Sequence, residues 1–113
     1  MQLGLCTTPE IVATFPSLPF EFIEAHVQQF LLPEQPASAF AANALAAKRS
    51  PRPTPAANCL LPADLKVTGP VVDTERLARY AESAFSRAAS IGLTTIVFGS
   101  AGARMVPDDW SLA

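Results

Sequence analysis

The sequence predicts an α/β fold built from parallel βαβ units, and three observations carry the prediction. Short apolar runs rich in branched residues alternate with helical patterns along the whole of the 113-residue chain. The strongest run, Leu93-Thr-Thr-Ile-Val-Phe98, has the unbroken β-branched and apolar character of a strand buried in a parallel sheet. It passes directly into a small-residue loop, Gly99-Ser-Ala-Gly-Ala-Arg104, placed where α/β folds hold their ligands.

Each element follows in order. Leu3 to Thr7 reads as a first strand. Thr8 then serves as an N-cap and Pro9 as a first helical residue, since the missing N–H of proline has no partner to lose there. That helix is short, because Pro16 and Pro19 cannot continue it. Phe20 to Val27 alternates: Phe20, Phe22, Glu24 and His26 share one face of a second strand, and Glu21, Ile23, Ala25 and Val27 share the other. Residues 28–36 read as connection, and the alanine-rich 37–48 as helix. The proline cluster 51–55 leads into a third strand over 55–61, followed by a loop over 63–70. The clearest helix starts at the N-cap Asp73. Leu77, Tyr80, Ala81, Ala84, Phe85, Ala88 and Ile91 line one side, Glu75 and Arg79 pair on another, and Gly92 closes it. The fourth strand follows at once, as 93–98.

Two architectures accept this order, an open doubly wound sheet and the opening of a (β/α)8 TIM barrel. A barrel of about 250 residues allots about 31 to each unit, so this chain supplies about three and a half. A doubly wound sheet would finish with a helix over its last strand, and the six residues after Pro107 leave no room for one. Residues 1–113 are therefore expected to be a single partial domain, a truncated barrel.

Composition narrows the function. Half of the residues are hydrophobic and 16% are charged, with a mean hydropathy of +0.26. That is apolar for a chain able to bury only about 65% of its surface, and it fits strands meant to be covered on both faces. The net charge of −2 and the absence of a basic cluster beyond Lys48-Arg49 give nucleic acid and anionic membranes little to attract. No stretch has a signal-peptide pattern or the about 20 apolar residues of a membrane span, so a cytoplasmic location is expected. Cys6 and Cys59 match neither a CxxC pair nor a disulfide framework, and they read as buried thiols.

Five polar residues stand at expected strand ends or in the loops after them. Glu24 and His26 would point inward at a barrel mouth, to bind sugar hydroxyls or support a metal ligand, or else to satisfy backbone groups as a buried polar pair. A single histidine without partners at suitable spacing is not a metal site. Asn58 would hold a substrate hydroxyl or merely end its strand. Ser100 and Arg104 belong to a loop that could present N–H groups and a guanidinium to phosphate or carboxylate, or else form a tight turn with Arg104 paired to a structural carboxylate. The loop lacks both the Lys-Ser/Thr of a P-loop and a GxGxxG pattern, which argues against nucleotides. Asp64 and Lys66 read as solvated or mutually paired. Trp110 is expected to be exposed.

Four segments carry a family resemblance: Leu3-Gly-Leu-Cys-Thr7, Phe22-Ile-Glu-Ala-His26, Asn58-Cys-Leu-Leu-Pro-Ala-Asp64 and Ile96-Val-Phe-Gly-Ser-Ala-Gly-Ala-Arg104. In this order and at barrel spacing they resemble the N-terminal part of the xylose isomerase-like TIM-barrel superfamily. The closest group is the sugar phosphate isomerases and epimerases, similar to hydroxypyruvate isomerases. The resemblance spans essentially the whole chain. It implies a complete enzyme that moves a proton beside a carbonyl of a sugar or sugar phosphate, using a divalent metal held by two Glu, an Asp and a His. Those ligands would lie in the second half of the barrel, so this chain would hold no catalytic or metal residue and be inactive alone; oligomerisation is left open. Two other readings stand beside this one. The first is a free-standing α/β module that binds an anion through the Arg104 loop. The second is an endonuclease relative within the same superfamily, which the acidic charge balance disfavours.

Overall fold

The computed structural model describes residues 1–110. Among these residues nine elements follow one another: β1 (Gly4–Cys6), α1 (Pro9–Thr14), β2 (Phe22–His26), α2 (Val27–Phe30), α3 (Ala37–Arg49), β3 (Ala56–Asn58), α4 (Thr74–Ser90), β4 (Thr95–Ile96) and α5 (Ala101–Arg104). The four strands form one sheet, every neighbouring pair parallel, in the order β1-β2-β3-β4. The order runs with the chain and never reverses. No helix among the described residues is long and apolar enough to cross a membrane.

Helix boundaries follow local chemistry. Thr8 caps α1 through its hydroxyl, which accepts from the Ile11 N–H, and Pro9 stands in the first turn. Asp73 caps α4 by accepting from the Arg76 N–H at 2.9 Å. Glu75 and Arg79 approach to 3.7 Å on its exposed side. Gly92 ends the helix at φ 76°, a left-handed conformation that L side chains enter only at a cost.

The helices cover one face of the sheet. Ile23, Ala25 and Ala57 point into that layer and are fully buried. Around them Val27, Phe30, Leu31, Phe40, Leu61, Leu65, Tyr80, Ala84 and Ala88 form the main core, while Val12, Phe20 and Ile23 form a smaller one under α1. Two polar devices tie loops to this layer. Tyr80 donates its hydroxyl to the Leu60 carbonyl at 2.8 Å, and burial pushes the phenol up to about 12. The Arg87 guanidinium donates to the carbonyls of Leu31, Leu32 and Gln35 while lying 5.5 Å over the Phe40 ring.

Among the described residues, no helix packs on the opposite face. Gly4, Cys6, Phe22, Glu24, His26, Ala56 and Asn58 alternate onto it, at best half-buried. Near its lower edge the Phe22 ring lies across Gly4 so closely that a Cβ there would sit 2.2 Å from the ring. The radius of gyration, 15.8 Å, exceeds the about 13 Å of a compact domain of this length, as a one-sided slab should.

Several expectations are corrected. The strands are shorter than their apolar runs. The 93–98 run contributes only Thr95–Ile96 to the sheet, and Val97 and Phe98 are 49% and 39% exposed because β4 is an edge with no further strand beside it among the described residues. Residues 27–30, read partly as strand and partly as connection, form the helical turn α2, and the 99–104 loop contains another, α5. Phe85 stands at a helical position of α4 facing past the sheet edge and is 52% exposed. Cys6 is exposed and Cys59 half-buried, since each lies at the end of a strand and not within the helix-covered layer. Asp64 and Lys66 do not pair with each other. Asp64 meets Arg76, and Lys66 donates to the Gly102 carbonyl at 2.8 Å. Trp110 is exposed, as expected.

Candidate functional site

The sheet register assembles the site. Cys6, Glu24 and Ala56 are lateral partners across β1, β2 and β3, and one step on His26 is the partner of Asn58. Because strand side chains alternate, Cys6, Glu24, His26 and Asn58 all reach the open face at its C-terminal edge. A cleft of about 320 Å³ lies over them, walled further by Thr7, Thr8, Glu10, Gln29, Phe30 and Asn43.

Hydrogen bonding orders its floor. Asn58 Nδ2 donates to Glu24 Oε1 at 2.7 Å and lies 3.8 Å from Cys6 Sγ. This fixes the carboxylate in one orientation and leaves its second oxygen to accept from a ligand. His26 Nδ1 is buried without a hydrogen-bond partner, an uncommon state for a buried nitrogen and one that a polar ligand atom would relieve. Asn43 spends its amide on the Phe30 carbonyl at 2.8 Å, which locks α3 to α2 and holds the wall of the cleft. No Lys or Arg lines the cleft.

Three of the five residues picked out in the sequence thus meet: Glu24, His26 and Asn58. Ser100 and Arg104 do not join them. The Ser100 hydroxyl accepts from the Leu61 N–H at 2.8 Å and donates to the Phe98 carbonyl, so it braces the β3 and β4 loops against each other. Arg104 stacks 5.6 Å over the Phe98 ring, and no carboxylate pairs with it among the described residues. The cleft residues that sequence reasoning passed over come from the loop after β1 (Thr7, Thr8) and from the helices (Glu10 of α1, Gln29 and Phe30 of α2, Asn43 of α3). For Asn43 a signal existed, a single amide inside an alanine-rich helix.

Backbone strain gathers at the same end of the sheet. Leu32, Cys59 and Ser100 are the non-glycine residues with left-handed backbone, φ 51°, 53° and 49°, and each stands in a segment leaving the C-terminal end of a strand.

The cleft's donor set does not make a divalent-metal site. Glu24 is committed to Asn58, His26 is the one imidazole of the chain, and no three His, Cys, Asp or Glu side chains among the described residues converge suitably. What the arrangement can do is bind hydroxyls. It offers a fixed carboxylate oxygen, an unpaired imidazole nitrogen, neutral hydroxyl and amide groups, and one aromatic wall. Comparison of the chain with protein-family models, with curated proteins and with solved structures finds no match.

Proposed function

We propose that this chain is the N-terminal portion of a (β/α)8-barrel sugar or sugar-phosphate isomerase or epimerase, cytoplasmic and metal-dependent when complete, and that its own share of the work is to bind the sugar. The observation that carries the proposal is the Glu24–Asn58 hydrogen bond beside the partnerless His26 at the C-terminal edge of a parallel sheet running in chain order. Barrel enzymes place their sites at that edge, and sheets that order their strands sequentially are those that close into barrels. The uncovered polar face corresponds to a barrel interior.

In this reading Glu24 accepts from one sugar hydroxyl with its free oxygen, Asn58 keeps that carboxylate oriented, and His26 Nδ1 engages a second hydroxyl. These contacts hold the substrate while the proton transfer beside the carbonyl is performed by groups elsewhere in the barrel. The metal would polarise the oxygens there, and no step on this chain passes through it. The alternative, an anion-binding module built on the 99–104 loop, is weakened because Ser100 is spent on internal hydrogen bonds and Arg104 on Phe98.

The test is a ¹⁵N NMR titration with a ketose, its phosphate ester and inorganic phosphate. The ketose should perturb Glu24, His26 and Asn58, and Asn58→Ala should weaken binding by about tenfold, the worth of one hydrogen bond to a charged group. An unperturbed cleft, a response to phosphate confined to Ser100–Arg104, or isomerisation of the ketose by this chain unaided would each contradict the proposal.

A further inference from the structure

The β3 strand runs out into a turn that is gripped from several sides. His26–Asn58 is the last registered pair of β2 and β3, and the next residue, Cys59, takes φ 53°. Left-handed backbone is costly for a residue with a Cβ, which returns to negative φ unless its surroundings prevent it. Here they do. Gln28 Nε2 donates to the Cys59 carbonyl at 2.9 Å and to the Leu61 carbonyl at 3.0 Å. Between them the Tyr80 hydroxyl donates to the Leu60 carbonyl, and Ser100 Oγ accepts from the Leu61 N–H. Gln28 is the group that spans the turn, since one amide nitrogen spends both its hydrogens on carbonyls two residues apart.

The place of this clamp in the chain gives it a role at the cleft. Gln28 lies on α2, directly after the strand that carries Glu24 and His26, so one segment supplies both the carboxylate and the clamp. Asn43 docks α2 in turn, its amide donating to the Phe30 carbonyl at 2.8 Å. The clamp therefore ties the C-terminal end of β2 to that of β3, where Asn58 Nδ2 donates to Glu24 Oε1. Asn58 is the last of three strand residues. A turn that relaxed would let this short strand end fray and carry the Asn58 amide off the carboxylate. We infer that Gln28 is a positioning residue for the sugar cleft: by holding Cys59 in its left-handed state it keeps Asn58 aimed at Glu24. The inference rests on the sugar-binding reading above.

The chain has two asparagines, Asn43 and Asn58, and their side-chain amide signals in ¹⁵N NMR separate positioning from support. In Gln28→Ala the Asn58 amide should shift, while the Asn43 amide, bound to α2, should stay in place. Ketose affinity should fall about tenfold, as for Asn58→Ala, and the two substitutions together should cost little more than either. Glycine enters positive φ freely, so adding Cys59→Gly to Gln28→Ala should return the affinity to within about threefold of the wild type. Gln28→Met keeps the length of the side chain without its donors, and it should give the same readings where the alanine variant does not fold. Unchanged ketose affinity with an unmoved Asn58 amide overturns the inference. So does a displaced Asn43 amide, which would make Gln28 a support of α2 alone, and so does a loss that Cys59→Gly leaves unrelieved. Equal ketose binding by the wild type and Gln28→Ala removes the clamp and leaves the sugar reading standing, whereas a wild type that binds no ketose removes both.

Discussion

At the level of single residues, the glycines of this chain carry separable physical costs. Gly92 adopts φ 76° in open space, so a methyl group there meets nothing and only the backbone conformation is taxed. Gly92→Ala should lower the unfolding free energy by about 1 kcal/mol in urea titrations without altering the slope. Gly4 differs, because its missing side chain makes room for the Phe22 ring and not for an unusual backbone angle. The strand alternation that put Glu24 and His26 on one face was legible because Ile23 to Val27 switches polarity at every step. The bond from Asn58 to Glu24 was not legible, since it depends on the lateral register of β2 and β3, and no local pattern encodes a register between distant strands.

Elements show the same division. The α4 helix could be read almost to the residue, because its cap, its apolar stripe and its terminal glycine all reinforce one another locally. The fourth strand could not. Its apolar run describes a strand meant to be buried, and whether it is buried depends on neighbours the run does not contain. Between elements, one ion-pair cluster has a pH signature. Arg76 on α4 reaches Glu34 at 2.5 Å and Asp64 at 2.8 Å, and its hydrogen bonds hold both carboxyls below their ordinary values of 4.5 and 3.8. A carboxyl whose folded-state pKa is depressed adds stability above its unfolded pKa and loses it as pH falls through the folded value. The wild type should therefore destabilise more steeply than Arg76→Gln as pH drops below about 5, and the two melting curves should converge at the acid end. Parallel pH dependence in the two proteins would show that the cluster is fully screened by solvent.

For the molecule as a whole, the helix-covered face is a finished core and the opposite face is a polar floor with apolar edges. The excess of hydrophobic residues in so short a chain predicts strands covered on both faces, whereas among the described residues only one face is covered. Placing the strands in chain order brings Glu24, His26 and Asn58 together at the end of the sheet where barrel enzymes bind their substrates. It also carries Ser100 and Arg104 to the far edge, away from the cleft. The loop that looked most like a site in the sequence is thus a brace, and the cleft lies over β1, β2 and β3.

The claim that Glu24 and Asn58 act as one hydroxyl-binding unit is tested most directly by a double-mutant cycle in titration calorimetry with a ketose. If Asn58 serves by orienting Glu24, Glu24→Gln and Asn58→Ala should each cost about tenfold in affinity, and the double variant should lose little more than either alone. Equal affinities in all four proteins, or losses that simply add, would contradict it.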